Sequence, residues 1–159
     1  MKVFFKEEQK FTQWWLWLIL IGVGLLPIYG MYKQLILGEQ FGDNPMSDPG
    51  LIIFAVFVFG IIALFWFMQL KTRIDEREIR INFFPFVHKN VKWNDIKSAK
   101  IVNYGFVGGW GIHLWTQYGT VYNIKGNKGL AIELKNGKKF LLGTQKENEL
   151  SEVIKKASR

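Results

Sequence analysis

The sequence predicts a membrane α + β protein: a two-helix transmembrane hairpin, then a small antiparallel β domain closed by a C-terminal helix. Three observations predict it. Two charge-free apolar blocks lie in the first half of the 159 residues, Trp14 to Tyr32 and Leu51 to Leu70. From Lys71 onward the apolar residues recur every second position. The chain closes on a short stretch with helical apolar spacing.

The blocks, of 19 and 20 residues, are apolar all round. At about 1.5 Å per residue each reaches about 30 Å as a helix, the thickness of a hydrocarbon core. A core helix of a small soluble domain would instead be amphipathic. A signal peptide would have a small-residue cleavage site, and "PIYGMYKQ" offers none. Residues 14–32 and 51–70 are therefore read as spans, with a kink expected at Pro27 and close approach expected at Gly22, Gly24 and Gly60.

Basic residues beside the spans set the orientation. Lys2, Lys6 and Lys10 precede the first, and Lys71, Arg73, Arg77 and Arg80 follow the second. The connecting segment, residues 33–50, has one Lys against Glu39, Asp43 and Asp48. This predicts a multi-pass protein of the cell (inner) membrane, with residues 1–13 a cytoplasmic N-terminus, 33–50 an external loop, and both termini cytoplasmic. Trp14, Trp15, Trp17 and Trp66 fit an inner aromatic belt, Tyr29 and Tyr32 an outer one.

Residues 71–159 read as the β domain. Ile79, Ile81 and Phe83 alternate with Glu78, Arg80 and Asn82; Leu130, Ile132 and Leu134 alternate with Ala131, Glu133 and Lys135. Asn136-Gly137 is a hairpin signal that prefers positive φ at both positions. With further strands over 87–93, 98–104, 110–115 and 120–124, about seven strands are expected. Thr144 to Glu147 has capping-box spacing, and Leu150, Val153, Ile154 and Ala157 form one apolar face, so a terminal helix is placed over 145–157.

Several stretches carry a resemblance: "TRIDEREIRINFFPF", "VKWNDI", "GGWGIHL" and "YNIKGNKGLAIELKNGKKFLLGTQKENEL". On them, and on the two-span layout, the chain resembles uncharacterised bacterial two-span membrane proteins with a bacterial pleckstrin-homology-like (PH-like) domain. That resemblance implies a PH-like barrel or sandwich at a membrane, and carries over no functional residue. The turn matching the inositide-binding hairpin of eukaryotic PH domains is Asp75-Glu76-Arg77, which is mixed in charge.

The β segment holds 17 Lys and Arg against 8 Asp and Glu. In a free domain such a balance would suggest nucleic acid; beside a span it points to anionic lipids of the bilayer instead. Lys71, Arg73, Arg77 and Arg80 are the leading candidates for that surface, joined by Lys89 and Lys92. The glycine- and aromatic-rich "YGFVGGWGIHLW" matches no phosphate loop and reads as bent strand, with Trp110 and Trp115 filling the core. Its other readings are a ligand groove formed by Tyr104, Trp110 and His113, and a partner-docking surface.

Chemistry is sparsely represented. Without cysteine there is no disulfide or thiolate metal site. His88 and His113 have no metal-ligand spacing, and Asp75, Glu76 and Glu78 read as solvated turn carboxylates. No metal, cofactor, catalytic residue or nucleophile motif is predicted. The leading expectation is a non-enzymatic integral membrane protein whose basic domain binds lipid head groups or a protein partner at the inner leaflet. The alternatives are an assembly subunit of a transporter or secretion complex, and a membrane-associated enzyme on lipid or envelope precursors. Homo-oligomer formation is compatible with each.

Overall fold

The computed structural model describes residues 2–157, so Ser158 and Arg159, part of the predicted β segment, lie outside the described residues. The chain forms two compact units, one from Thr12 to Phe67 and the other from the segments on either side of it.

The first unit is a helix pair. α1 spans Trp14–Met31 and runs into a π-helical turn, Tyr32–Ile36; α2 spans Asp48–Phe67. The helices meet along a narrow stripe, Leu20, Gly24, Pro27 and Gly30 against Leu51, Ala55 and Val58, at the three-to-four-residue spacing of one helix face. Gly24 lies against Ile62 and Gly30 against Phe41 and Leu51, whereas Gly22 and Gly60 have nothing near them. The expected close approach therefore occurs at one of the three predicted glycines, and at Gly30 besides. Trp17 and Trp66 meet edge-to-face with ring centroids 5.5 Å apart. Elsewhere Leu18, Ile21, Leu25, Ile53 and Phe57 are bare. Both helices are long and apolar enough to cross a membrane. The second stops earlier than predicted: Gln69 and Leu70 belong to a strand, where Leu70 is fully buried.

The second unit has two sheets. The first contains β1 (Val3–Lys10), β2 (Gln69–Asp75), β3 (Glu78–Phe84) and β4 (Val87–Lys92), antiparallel in that order. The second contains β5 (Ile96–Asn103), β6 (Gly111–Thr116), β7 (Gly119–Asn123), β8 (Lys128–Leu134) and β9 (Lys139–Gly143), ordered β5-β8-β9-β7-β6. Three expectations change. The N-terminal segment is a strand of the domain, pairing Lys10 with Gln69 and Lys6 with Arg73. Among the described residues eight strands follow the second helix, where about seven were expected. The second sheet is not wholly antiparallel, because β7 and β9 run parallel.

The alternation sorts the side chains as predicted. Ile79, Ile81 and Phe83 turn inward with Phe5, Leu70 and Ile74, and Leu130, Ile132, Phe140 and Leu142 are buried from the second sheet. The strands of the two sheets cross. Gly143 at the end of β9 meets β1, accepting a hydrogen bond from Gln9 Nε2 at 2.8 Å. Phe140 near its start meets β4, with Lys89 Nζ 3.8 Å from the ring centroid. At Asn136-Gly137 only the glycine takes positive φ, 84°. Gly137 N–H donates to Leu134 O at 2.9 Å, giving a tight turn followed by a left-handed glycine.

α3 spans Glu147–Ala157 and buries Leu150, Val153 and Ile154. The expected capping box does not form. Thr144 Oγ1 accepts from Lys146 N–H at 3.0 Å and donates to Glu7 Oε2 at 2.6 Å. Glu7 Oε1 accepts from Gln145 N–H at 2.7 Å. A carboxylate from the first strand thus fixes the two residues that lead into α3, at the positive end of the helix dipole.

Candidate anion-binding face

A strand with one buried face sends every second side chain to solvent. On the first sheet the outward positions are Lys6, Glu8 and Lys10 from β1, Gln69, Lys71 and Arg73 from β2, Glu78, Arg80, Asn82 and Phe84 from β3, and His88, Asn90 and Lys92 from β4. The register aligns Lys6, Arg73 and Arg80 side by side across three strands. Directly opposed side chains have Cβ atoms about 5 Å apart, and like charges there are destabilising. Three adjacent cations are therefore held against a local cost.

Of the three, only Arg80 makes a salt bridge among the described residues. Arg80 Nη2 lies 3.3 Å from Asp75 Oδ2, and Arg80 Nε donates to Glu78 Oε1 at 2.6 Å. Asp75 is fully buried, not solvated as the sequence suggests. Its Oδ1 accepts from Arg77 N–H at 3.0 Å and Glu78 N–H at 3.2 Å. Burial pushes its carboxyl up, but those two amides, then Arg80 and Arg73, outweigh it and hold the group below its ordinary value. Lys6 and Arg73 have no carboxylate at salt-bridge distance among the described residues, while Glu8 lies 3.7 Å from Lys10 and 3.6 Å from Lys71.

Of the six predicted surface cations, Lys71, Arg73, Arg80 and Lys92 thus share one face. Arg77 stands in the β2–β3 turn, beside a cleft of about 600 Å³ lined by Glu76, Arg77, Glu78, Arg80, Lys92, Trp93 and Asn94. Lys89 pairs with Ile81 and so points inward. Burial, reinforced by Lys138, lowers its pKa. Lys6 and Lys10 complete the face and were missed, because residues 1–13 were read as a tail. The alternation of Phe5, Glu7 and Gln9 with Lys6, Glu8 and Lys10 was the signal, obscured by two polar residues on the inward side.

The glycine and aromatic stretch is built differently. Tyr104 is buried with Val121 and Leu141 in a small second core on the far side of the second sheet, with Val102, Val107, Tyr118 and Ala131 around it. Its hydroxyl donates to Gly126 O at 2.9 Å and accepts from Asn123 Nδ2 at 3.2 Å. Burial raises its pKa against the lowering effect of that Asn123 bond. Asn123, fully buried, also donates to Gly109 O at 3.2 Å and accepts from Gly111 N–H at 2.9 Å. One amide side chain therefore pins the whole loop. His113 pairs with Val121, and its Nε2 is buried without a hydrogen-bond partner. Tyr104 is thus a core residue engaged at its hydroxyl, which removes the floor of the expected groove. Trp110 and Trp115 do not fill the core: they are 40% and 95% exposed.

No family model, no curated protein and no solved structure matches the chain.

Proposed function

We propose that the chain is a non-enzymatic integral membrane protein of the inner membrane whose PH-like β domain engages anionic lipid head groups through the outer face of its first sheet. The observation that carries this reading is the row Lys6, Arg73 and Arg80, set side by side at a repulsive cost that an anion would relieve. A cation near an anionic leaflet contributes about 1 kcal/mol. The Lys10–Gln69 pairing supports the topology. It brings the segment entering α1 beside the segment leaving α2, as a hairpin with both ends on one side requires. The basic flanks make that side the cytoplasmic one.

The test uses the full chain in mild detergent, titrated with short-chain phosphatidylglycerol or phosphatidylcholine, with amide exchange of β1 to β3 as readout. The anionic lipid binds more tightly, salt weakens it, and Arg73→Gln lowers affinity about fivefold. Equal affinity for the two lipids would overturn the reading.

A further inference from the structure

Side chains that neither core nor basic face uses gather at one end of the β unit. That end is defined by the chain itself. Lys10 leads within four residues to Trp14 of α1, and Gln69 begins two residues after Phe67 of α2. The two pair, and Gln69 also pairs with Phe84, so the β3–β4 tip, Phe84-Pro85-Phe86, lies at this tethered end. Both phenylalanines are exposed there.

The second sheet brings another strand to the same end. Trp93, just beyond β4, donates from Nε1 to Asp75 O at 2.9 Å, which marks the opposite, distal end of the first sheet. Lys135, just after β8, donates from N–H to Asp95 O at 2.9 Å at that distal end. The β5–β8 side of the second sheet is therefore distal, and the strand order puts edge strand β6 on the tethered side. The distances agree. β6 is two strands from β9, about 10 Å, and Phe86 is three residues along the chain from Lys89, also about 10 Å. Lys89 is the residue that meets β9, at Phe140.

What β6 presents there is apolar. Leu114 and Trp115 are exposed, Trp115 at 95%, where its ladder with β7 shifts register. Trp115 has φ 56°, the left-handed region that a bulky residue adopts only at a steric cost. A large ring held in water by a strained backbone gains from a partially apolar medium, and tryptophan favours the membrane interface.

We propose that Phe84, Phe86, Leu114 and Trp115 form a wedge that inserts into the interfacial zone of the leaflet beside the tethers. This rests on the membrane reading above but not on the basic face, because interfacial insertion of aromatic side chains needs no anionic lipid.

The chain has no cysteine, so single labels can be placed cleanly. Phe86→Cys, Trp115→Cys, Glu76→Cys and Phe57→Cys variants of the full chain carry a nitroxide in phosphatidylcholine nanodiscs. The readout is relative accessibility to oxygen and to a water-soluble nickel chelate. At 86 and 115 that ratio exceeds the value at 76, in the distal turn, several-fold. Ratios at 86 and 115 equal to that at 76, with the label at 57 in lipid, would overturn the wedge and leave the membrane reading intact. A label at 57 in water would overturn both. Loss of phosphatidylglycerol preference with deep labels at 86 and 115 would overturn the basic-face reading and support the wedge.

Discussion

The outer faces of the two sheets solve the same problem in opposite ways. The first sheet leaves its outer face bare and fills it with charge. The second covers the part of its outer face around Val121 and Leu141 with the Tyr104–Trp110 loop and a small core of its own. The strands record the difference. Over β3, Ile79 to Phe83 alternates strictly, as expected for a sheet with one face in water. Over β9, Phe140, Leu141 and Leu142 run on without a polar break, because Phe140 and Leu142 serve the shared core and Leu141 the second one. A short uninterrupted apolar run is therefore the mark of a strand covered on both sides, and β8 of the same sheet, less fully covered, alternates.

The sharpest way to break this comparison is to empty both cores. Leu141→Ala, on the covered outer face, destabilises the β unit by about 3 kcal/mol, as does Ile81→Ala in the shared core. Denaturant unfolding of the full chain in detergent, followed at β-domain amides, reads both. A Leu141→Ala cost under 1 kcal/mol would mean that the loop covers the second sheet only loosely.

A smaller effect sharpens the account of the bare face. The depressed native pKa of Asp75 means that the unfolded state takes up its proton first as pH falls. Its contribution is full above the unfolded carboxylate range and is lost as pH drops through the native value. Asp75→Asn therefore destabilises the unit near neutral pH, and the gap to the parent narrows toward low pH. Thermal melts across that range check the sign.

The smallest effect is on the bare face itself. Arg73→Gln relieves the like-charge contacts to Lys6 and Arg80, loses the attraction to Asp75, and leaves stability within about 0.5 kcal/mol of the parent. A clear loss on melting would mean that the cation row is structural and not reserved for a ligand.

Much of this architecture was legible in local pattern. The apolar blocks, the alternation of Ile79 to Phe83 and Leu130 to Leu134, and the Asn136-Gly137 hairpin all follow from neighbours in the sequence. What escaped depends on distant partners. β1 was obscured because Glu7 and Gln9 face inward, acceptable only with Thr144, Gln145 and Gly143 more than 130 residues away. The parallel β7–β9 pair joins strands separated by all of β8, which no alternation reveals. Lys89 looked like a surface cation until Phe140 was found beneath it. Trp115 was assigned to the core because its glycine-rich stretch reads as bent strand; its positive φ, invisible in sequence, turns it out.

The pairing of β1 with β2 also bears on how the molecule is made. β1 is synthesised ahead of both apolar helices, and its neighbour in the sheet emerges only after them. Until then its hydrogen-bonding edge and Phe5 have no place in the domain. Synthesis of the helix pair thus comes before completion of the β unit, and a nascent chain stalled between the helices carries an unpaired strand open to misassociation.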